Sequence, residues 1–206
     1  MHDFKIVEQG APLKEAKKAL LLLHGRGATA TNILSLSSFF VTRDWYVTAP
    51  QATNNTWYPY SFMFPRTQNE PWLGSAIEIV SRLVEKMLEQ LEPENLYLGG
   101  FSQGACLTAE FVARNPMKYG GVMIFTGGLI GRELETQDYR GDLSGTKIYM
   151  TNGDDDPHVP LARSEATRDL LLSMGAEVEL DVFPGRPHTI LEEEINQAKK
   201  LLFHST

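Results

Sequence analysis

Short apolar segments alternate along the chain with longer segments of helical periodicity, and this alternation constrains the fold more than any other feature. The clearest short segment, residues 19–23, is apolar at every position, which is typical of a parallel strand buried on both faces. The other predicted strands cover residues 45–49, 96–100, 122–125, 147–150 and 178–183. Strands that alternate with helices build a mostly parallel sheet with helices on both faces, so the sequence predicts an α/β fold.

The helices are predicted from apolar residues that recur every three or four positions. They cover residues 73–91, 105–113 and 162–174, and a fourth begins at Thr189. Thr189 and Glu192 have the spacing of a capping box, in which the threonine is the N-cap and the glutamate reaches back to it. We therefore expect the last helix to start immediately after Thr189.

Composition and charge narrow the possible functions. The 206 residues argue for a single domain over 1–206, and a net charge of -7 provides no basic surface for nucleic acid. The single cysteine, Cys106, cannot form an intramolecular disulfide, which favours a reducing, cytoplasmic compartment. The longest aliphatic run, residues 19–23, is far shorter than the roughly 20 residues of a membrane span. The charged start of the chain does not resemble a signal peptide. A homodimer is compatible with the sequence.

Residues 100–104 have the sequence Gly-Phe-Ser-Gln-Gly, a G-x-S-x-G motif between a predicted strand and a predicted helix. In that setting the serine occupies a sharp, strained turn, and glycines flank it because bulkier residues would collide with neighbouring backbone. The turn exposes the hydroxyl and points amides of the helix start at a bound carbonyl. Ser102 is therefore the predicted nucleophile; the alternative is a serine that only caps the helix.

A serine hydroxyl needs an imidazole to take its proton and a carboxylate to orient that imidazole. In this architecture the chain order is serine, acid, histidine, and three histidines follow Ser102. His204 is two residues from the end of the sequence, and His158 lies directly beside the candidate acids. His188, between a predicted strand and the last helix, is the predicted base.

The candidate acids are Asp154, Asp155 and Asp156, which follow the strand predicted over 147–150. Asp156 precedes Pro157, which favours an extended backbone and a carboxylate fixed at the loop edge. Asp156 is therefore the predicted acid, and the other two are expected to form a solvated turn. Pro157 also breaks the frame of an EF-type calcium loop, and neither a metal nor another cofactor is expected.

The second donor of an oxyanion hole should come from the loop after the first predicted strand, His24-Gly25-Arg26-Gly27. Its glycines allow the backbone to approach the serine closely. The predicted oxyanion donors are the backbone amides of Arg26 and Gln103, a task in which their side chains have no part. His24 is predicted to shape the loop through hydrogen bonds.

With these segments in place, the sequence resembles the phospholipase/carboxylesterase family of compact α/β-hydrolases, which includes the acyl-protein thioesterases. The matching segments are residues 24–27, residues 100–104, the Gly-x-x-Asp-Pro-x-Val-Pro pattern of residues 153–160, and His188. The resemblance implies an α/β-hydrolase fold without a large cap domain. It also implies Ser102, Asp156 and His188 as the triad. At Arg26 the thioesterases commonly have leucine, and this difference argues against a palmitoyl-protein substrate.

We therefore expect a serine hydrolase that cleaves small-molecule carboxylic esters through an acyl-enzyme, as a carboxylesterase or lysophospholipase does. An acyl thioesterase is the alternative with the same chemistry. A non-catalytic binding module on this scaffold would usually lack a triad residue. A nucleotide-binding protein would need the G-x-G-x-x-G spacing, which is absent after the strand predicted over 96–100.

Residues 51–71, here called the aromatic loop, fit neither the helix period nor the strand period. A loop of this length in a compact domain is usually functional or disordered, and its aromatic content argues against disorder. We expect it to form a wall of the acyl pocket or a short lid, with Trp57, Tyr58 and Phe62 as substrate-binding residues. The alternative is that its aromatic residues pack over the edge of the sheet.

Overall fold

The computed structural model describes residues 1–134 and 136–203, which contain one seven-stranded sheet. The strands are β1 (Ile6–Gly10), β2 (Lys18–Leu23), β3 (Trp45–Pro50), β4 (Leu96–Phe101), β5 (Gly121–Phe125), β6 (Lys147–Gly153) and β7 (Glu177–Phe183). They lie in the order β1-β3-β2-β4-β5-β6-β7, and β1 alone among these strands is antiparallel to its neighbour. The predicted α/β fold with a mostly parallel sheet is confirmed.

Strand β1 was not predicted, because its sequence gives no apolar pattern. Ile6 is half-buried, and the four residues that follow it are exposed. The strand is held by its backbone, which pairs with β3 from Ile6 opposite Pro50 to Gly10 opposite Tyr46. An edge strand of this kind is defined by pairing and not by burial of its own side chains.

The helices cover both faces of the sheet. They are α1 (Ala30–Leu34), α2 (Arg66–Asn69), α3 (Trp72–Leu88), α4 (Gln103–Arg114), α5 (Leu161–Ser173) and α6 (Glu192–Ala198), with a π-helical turn over Lys199–Phe203. Strand β2 shows the two layers, because alternate side chains of a strand point to opposite faces. Leu21 and Leu23 join the core formed with α3, α4 and α5, whereas Leu20 and Leu22 join the core formed with α1 and α6.

Two further features of the described ranges bear on the predictions. They contain no large cap domain, as expected for this fold class. None of the helices in these ranges combines the length and the apolar composition that a bilayer span requires.

The start of the last helix was predicted two residues too early. Leu191, and not Thr189, is the N-cap of α6, and the carboxylate of Glu194 accepts the hydrogen bond from the Leu191 amide. The backbone carbonyl of Thr189 instead accepts a hydrogen bond from the Arg186 side chain, so that residue belongs to the preceding loop. Only the glutamate half of the predicted capping box is present, because leucine has no side-chain oxygen to accept a hydrogen bond from the helix.

Candidate active site

The turn between β4 and α4 holds Ser102 in a strained backbone conformation, with φ 54° and ψ −117°. Its amide donates a hydrogen bond of 3.0 Å to the carbonyl of Phe125 at the end of β5. A Cβ atom on Gly100 would lie 2.4 Å from the carbonyl oxygen of Gly104, and one on Gly104 would lie 2.1 Å from that of Leu23. Both glycines of the motif are therefore required by close backbone contacts, as the sequence predicted.

Three of the predicted site residues meet beside this turn and form a continuous hydrogen-bonded series. His188 Nε2 lies 2.8 Å from Ser102 Oγ, and His188 Nδ1 lies 2.8 Å from Asp156 Oδ2. An ionised carboxylate can only accept a hydrogen bond, so His188 Nδ1 carries the ring proton and donates a hydrogen bond to Asp156 Oδ2. Nε2 is then a free acceptor, and the Ser102 hydroxyl donates to it. This polarity is the one that lets the imidazole remove the hydroxyl proton.

Asp156 is held in its ionised form by hydrogen bonds. Burial of its carboxylate raises the pKa, but the hydrogen bond from His188 and those from the backbone amides of His158 and Val159 lower it. Both amides donate to Oδ1 at 2.9 Å, while Oδ2 is left for the imidazole. The net effect is a pKa below the ordinary value for an aspartate, so the charge that orients His188 is present at neutral pH.

Residues 184–191, here called the His188 loop, are fixed by a buried ion pair that the sequence analysis did not identify. Arg186 Nη1 lies 2.8 Å from Glu194 Oε1, and both side chains are almost completely buried. Arg186 Nη2 donates to Thr126 Oγ1 at 2.6 Å, and Thr126 directly follows Phe125, whose carbonyl holds the nucleophile turn. One guanidinium thus connects the loop of the imidazole to the strand that supports the serine.

A second contact ties the His188 loop to the loop of the carboxylate. Asp154 is exposed, as predicted for a solvated turn, but its Oδ1 also accepts a hydrogen bond of 2.8 Å from the Gly185 amide. Of the two other histidines after the serine, His158 is exposed and its ring centroid lies 4.7 Å from that of His188. His204 lies outside the described residues.

The loop after β2 lies beside Ser102. A Cβ atom added to Gly25 would lie 3.4 Å from the Cβ of Ser102, so the serine leaves little more than van der Waals space for a side chain at this position. Arg26 is the next residue. Gln103 is the first residue of α4, where backbone N–H groups have no partner within the helix. Arg26, Ser102 and Gln103 all line one cavity, and the roles of the two amides as oxyanion donors stay predictions.

His24 is a buried, hydrogen-bonded part of this loop. Its Nδ1 lies 2.8 Å from the carbonyl oxygen of Gly25, and its Nε2 accepts a hydrogen bond of 3.1 Å from the Ala52 amide. Burial lowers the pKa of the imidazole, against the opposing effect of the Gly25 carbonyl. A neutral ring with the proton on Nδ1 satisfies both contacts, so His24 joins the loop after β2 to the aromatic loop.

A cavity of about 440 Å³ opens beside Ser102. Its lining includes Arg26, residues 58–62 of the aromatic loop, His158 and His188. Cys106 also lines it, but burial raises the pKa of its thiol to about 12. The thiol is therefore protonated at neutral pH and is no competitor for Ser102 as a nucleophile.

The aromatic loop combines the two arrangements that the sequence left open. Tyr58 and Phe62 line the cavity, and their role in substrate binding stays a prediction. Trp57 does not line it, which corrects its predicted place in the pocket wall. Its side chain is completely buried, and its indole N–H donates a hydrogen bond of 2.8 Å to the carbonyl of His24. A buried indole needs such an acceptor, and this one lies behind the wall.

The side chain of Arg26 has a role that the sequence analysis missed. Its guanidinium donates to three successive carbonyl oxygens of the aromatic loop, those of Tyr58 at 2.9 Å, Pro59 at 3.0 Å and Tyr60 at 2.8 Å. The contact joins residues 32 to 34 positions apart in the chain, so no local pattern could have revealed it.

Gln103 holds the same loop from the other side. Its Oε1 accepts a hydrogen bond of 2.9 Å from the Trp57 amide, and its Nε2 donates one of 2.8 Å to the Tyr58 carbonyl. The hydroxyl of Thr56 lies 3.3 Å from the same Oε1. Both residues predicted for the oxyanion hole therefore use their side chains to fix the neighbouring cavity wall.

Known proteins resemble this chain over almost its whole length. The family model for phospholipase/carboxylesterase matches residues 2–205. The crystal structure of a phospholipase/carboxylesterase from Dyadobacter fermentans has a TM-score of 0.95 and 46% sequence identity, and the match covers 98% of this chain and 97% of that one.

Two curated relatives are more distant. A probable carboxylesterase SOBER1-like protein of Arabidopsis thaliana is 30% identical over 66% of this chain, and the match spans about half of that protein (52%). Acyl-protein thioesterase 1 of Saccharomyces cerevisiae is 23% identical, over 90% of this chain and 91% of its own length. The chain belongs to the phospholipase/carboxylesterase family, a family of carboxylic ester hydrolases, which confirms the resemblance and the fold class inferred from the sequence.

Proposed function

We propose that this member of the phospholipase/carboxylesterase family hydrolyses small-molecule carboxylic esters with Ser102 as nucleophile, His188 as general base and acid, and Asp156 as the group that orients the imidazole. The observation that carries the proposal is the series of two hydrogen bonds, each 2.8 Å, from Asp156 through His188 to Ser102. The three side chains follow three different strands; Ser102 and His188 line the cavity, and Asp156 lies on the other side of the imidazole.

In the first half of the reaction, Ser102 Oγ attacks the ester carbonyl carbon while its proton passes to His188 Nε2. The Asp156 carboxylate stabilises the imidazolium that forms. The negative charge on the former carbonyl oxygen is held by the backbone amides of Arg26 and Gln103. The carbon–oxygen bond to the alcohol then breaks, the alcohol takes the proton from Nε2, and the acyl group remains on Ser102.

In the second half, a water molecule takes the place of the alcohol. His188 Nε2 removes its proton as the water oxygen attacks the acyl carbon, and the same two amides hold the oxyanion. The bond to Ser102 Oγ breaks, the serine regains its proton from Nε2, and the carboxylic acid leaves. In sites of this kind the loss of one oxyanion donor lowers kcat by about 10²- to 10³-fold.

The proposal also assigns the cavity. Residues 58–62, here called the wall segment, form the wall against which the acyl group binds, with Tyr58 and Phe62 as its aromatic surfaces. Trp57 supports this wall from behind. The Arg26 and Gln103 contacts favour a fixed wall over a lid.

The test is the Ser102→Ala variant, with Ser81→Ala in α3, outside the cavity lining, as the matched control. We expect hydrolysis of p-nitrophenyl acetate and labelling by a fluorophosphonate to disappear in the first variant and to persist in the second. Both variants should melt within a few degrees of the wild type. Normal turnover by the Ser102 variant would refute the proposal, and a wild-type protein that neither turns over nor labels would indicate a non-catalytic binding module.

Thioester hydrolysis is a second candidate, favoured by the match to acyl-protein thioesterase 1 over most of both chains. The same nucleophile and oxyanion donors serve either leaving group. A matched pair of an oxygen ester and a thioester with the same acyl group separates the two, because a thioesterase would show the larger kcat/KM on the thioester.

A further inference from the structure

We propose that the Arg26 side chain determines acyl-chain selectivity, because it sets the distance between the oxyanion loop and the wall segment. The inference rests on the proposed function, since it concerns the pocket of the same reaction. It assigns to Arg26 a task separate from that of its backbone amide.

The wall segment has almost no regular structure of its own to hold it. Each of its five carbonyl groups nevertheless accepts a hydrogen bond from a residue outside the segment. Arg26 donates to the carbonyls of residues 58–60, the Asn69 side chain donates to that of Ser61 at 3.1 Å, and the Gly131 amide donates to that of Phe62 at 2.8 Å. The wall is therefore positioned by partners in other parts of the chain, and Arg26 provides the largest share.

Arg26 also lies next to the reacting serine. It follows Gly25, where an added Cβ atom would lie 3.4 Å from the Ser102 Cβ, and it lines the same cavity as Ser102. A substrate carbonyl bound at Ser102 thus has its acyl chain directed along a wall whose backbone is attached to the oxyanion loop through one guanidinium. A change in the length or donor number of that side chain alters the width of the pocket without altering the reacting atoms.

The geometry requires arginine and not simply a positive charge. The guanidinium is planar and has five N–H donors in a fixed fork, so it can contact three neighbouring carbonyls at once. A lysine ammonium on a flexible stem is a single point of charge and cannot span the same three acceptors. Two substitutions can therefore separate the fork from the charge: Arg26→Lys keeps the charge, and Arg26→Met keeps the approximate length alone.

The experiment measures kcat/KM of wild type, Arg26→Lys and Arg26→Met on p-nitrophenyl esters from acetate to decanoate, with the exposed Arg43→Met as control. We expect the wild type to prefer particular acyl lengths. Both Arg26 variants should lower the ratio between the best ester and acetate by about threefold to tenfold, the range set by losing ordinary hydrogen bonds. The change should arise more in KM than in kcat, and Arg43→Met should leave the profile unchanged.

Hydrogen exchange gives a readout that does not depend on turnover. Amides of residues 58–64 should exchange faster in both Arg26 variants than in the wild type, while those of β4 and α4 should not change. Fluorophosphonate labelling should persist in all of these proteins, so a failure of this inference is distinct from a failure of the triad.

Three results would overturn the inference. One is a wild-type profile that is flat across acyl lengths, and another is an Arg26→Met profile identical to that of the wild type. The third is a full rescue by lysine together with an equal loss on every ester in the methionine variant, because that pattern would assign Arg26 a purely electrostatic effect on the oxyanion.

Discussion

Two loops flank Ser102, and they are held in different ways. The wall segment is held by hydrogen bonds to its backbone carbonyls, from an exposed residue, Arg26, and from Gln103. The His188 loop is held by a pair of opposite charges removed from water, Arg186 at 5% exposure and Glu194 at 0%. One side of the site depends on contacts that water can partly replace, and the other depends on contacts that it cannot reach.

The different contacts of the two loops predict different effects of substitutions, on substrate selectivity at the wall segment and on stability and catalysis at the His188 loop. A carbonyl near solvent that loses a protein donor can bond to water, so its loss costs little. A buried charge that loses its partner remains uncompensated in a medium of low dielectric constant. Changes in the wall segment should therefore adjust which substrate fits, whereas changes that weaken the His188 loop should affect the folded state and the imidazole together.

The largest effect is expected from Arg186→Met. This substitution leaves the carboxylate of Glu194 buried without its partner, which typically costs about 3–5 kcal/mol of stability. Denaturant unfolding of the variant against wild type measures it, with Arg43→Met as a surface control within about 0.5 kcal/mol.

A double variant tests the cause of that loss. Arg186→Met combined with Glu194→Leu removes both charges, and replacement of a buried pair by apolar residues often restores stability. The double variant should therefore be more stable than Arg186→Met alone. If Arg186→Met lost less than about 1 kcal/mol, the range of an ordinary hydrogen bond, the contrast between the two loops would be wrong.

A smaller effect is expected from Gln103→Leu, which tests the other loop at its most buried contact. Leucine keeps the backbone amide of residue 103 but leaves the buried backbone N–H of Trp57 without its acceptor, the Gln103 Oε1 atom at 2.9 Å. An unsatisfied buried donor costs about 1–3 kcal/mol, so the loss in the same denaturant assay should be smaller than that of Arg186→Met. If Gln103→Leu lost as much unfolding free energy as Arg186→Met, the contacts of the wall segment would contribute as much to stability as the buried ion pair of the His188 loop.

The parts of the site that the sequence predicted are those defined by local chemistry. Ser102 was identified because a strained turn requires the glycines at 100 and 104, and the close contacts at both positions bear this out. Buried strands such as β2 were identified because a continuous apolar run has few alternatives. His188 and Asp156 followed from chain order and from the need of a serine for a base, and their catalytic roles stay predictions for the variants to test.

The parts that were missed depend on contacts between distant segments. Arg186 lies in a loop and Glu194 in the first turn of a helix, and no local pattern of the sequence indicates that they pair. The direction of the Trp57 side chain and the carbonyl acceptors of the Arg26 guanidinium depend on where the aromatic loop lies relative to β2. Strand β1 has no apolar pattern and becomes visible only through its pairing with β3.

The smallest expected effect is the dependence of stability on pH through Asp156, because burial opposes the hydrogen bonds that lower its pKa. A carboxylate with a lowered pKa in the folded state stabilises the protein above its ordinary pKa of 3.8, and that contribution disappears as the pH falls through the lower folded-state value. Asp156→Asn keeps an oxygen for the amides of His158 and Val159 but has no charge to titrate. The difference in unfolding free energy between wild type and Asp156→Asn should therefore shrink from about pH 5 to about pH 2.

The wall provides the control for this titration. Gln103 and its partners carry no group that titrates between those pH values, so the difference between wild type and Gln103→Leu should stay constant over the same range. A constant difference for Asp156→Asn would show that its carboxylate does not contribute to the folded state through charge. A pH-dependent difference for Gln103→Leu would show that the wall, too, is held through charge, and the distinction between the two loops would then not hold.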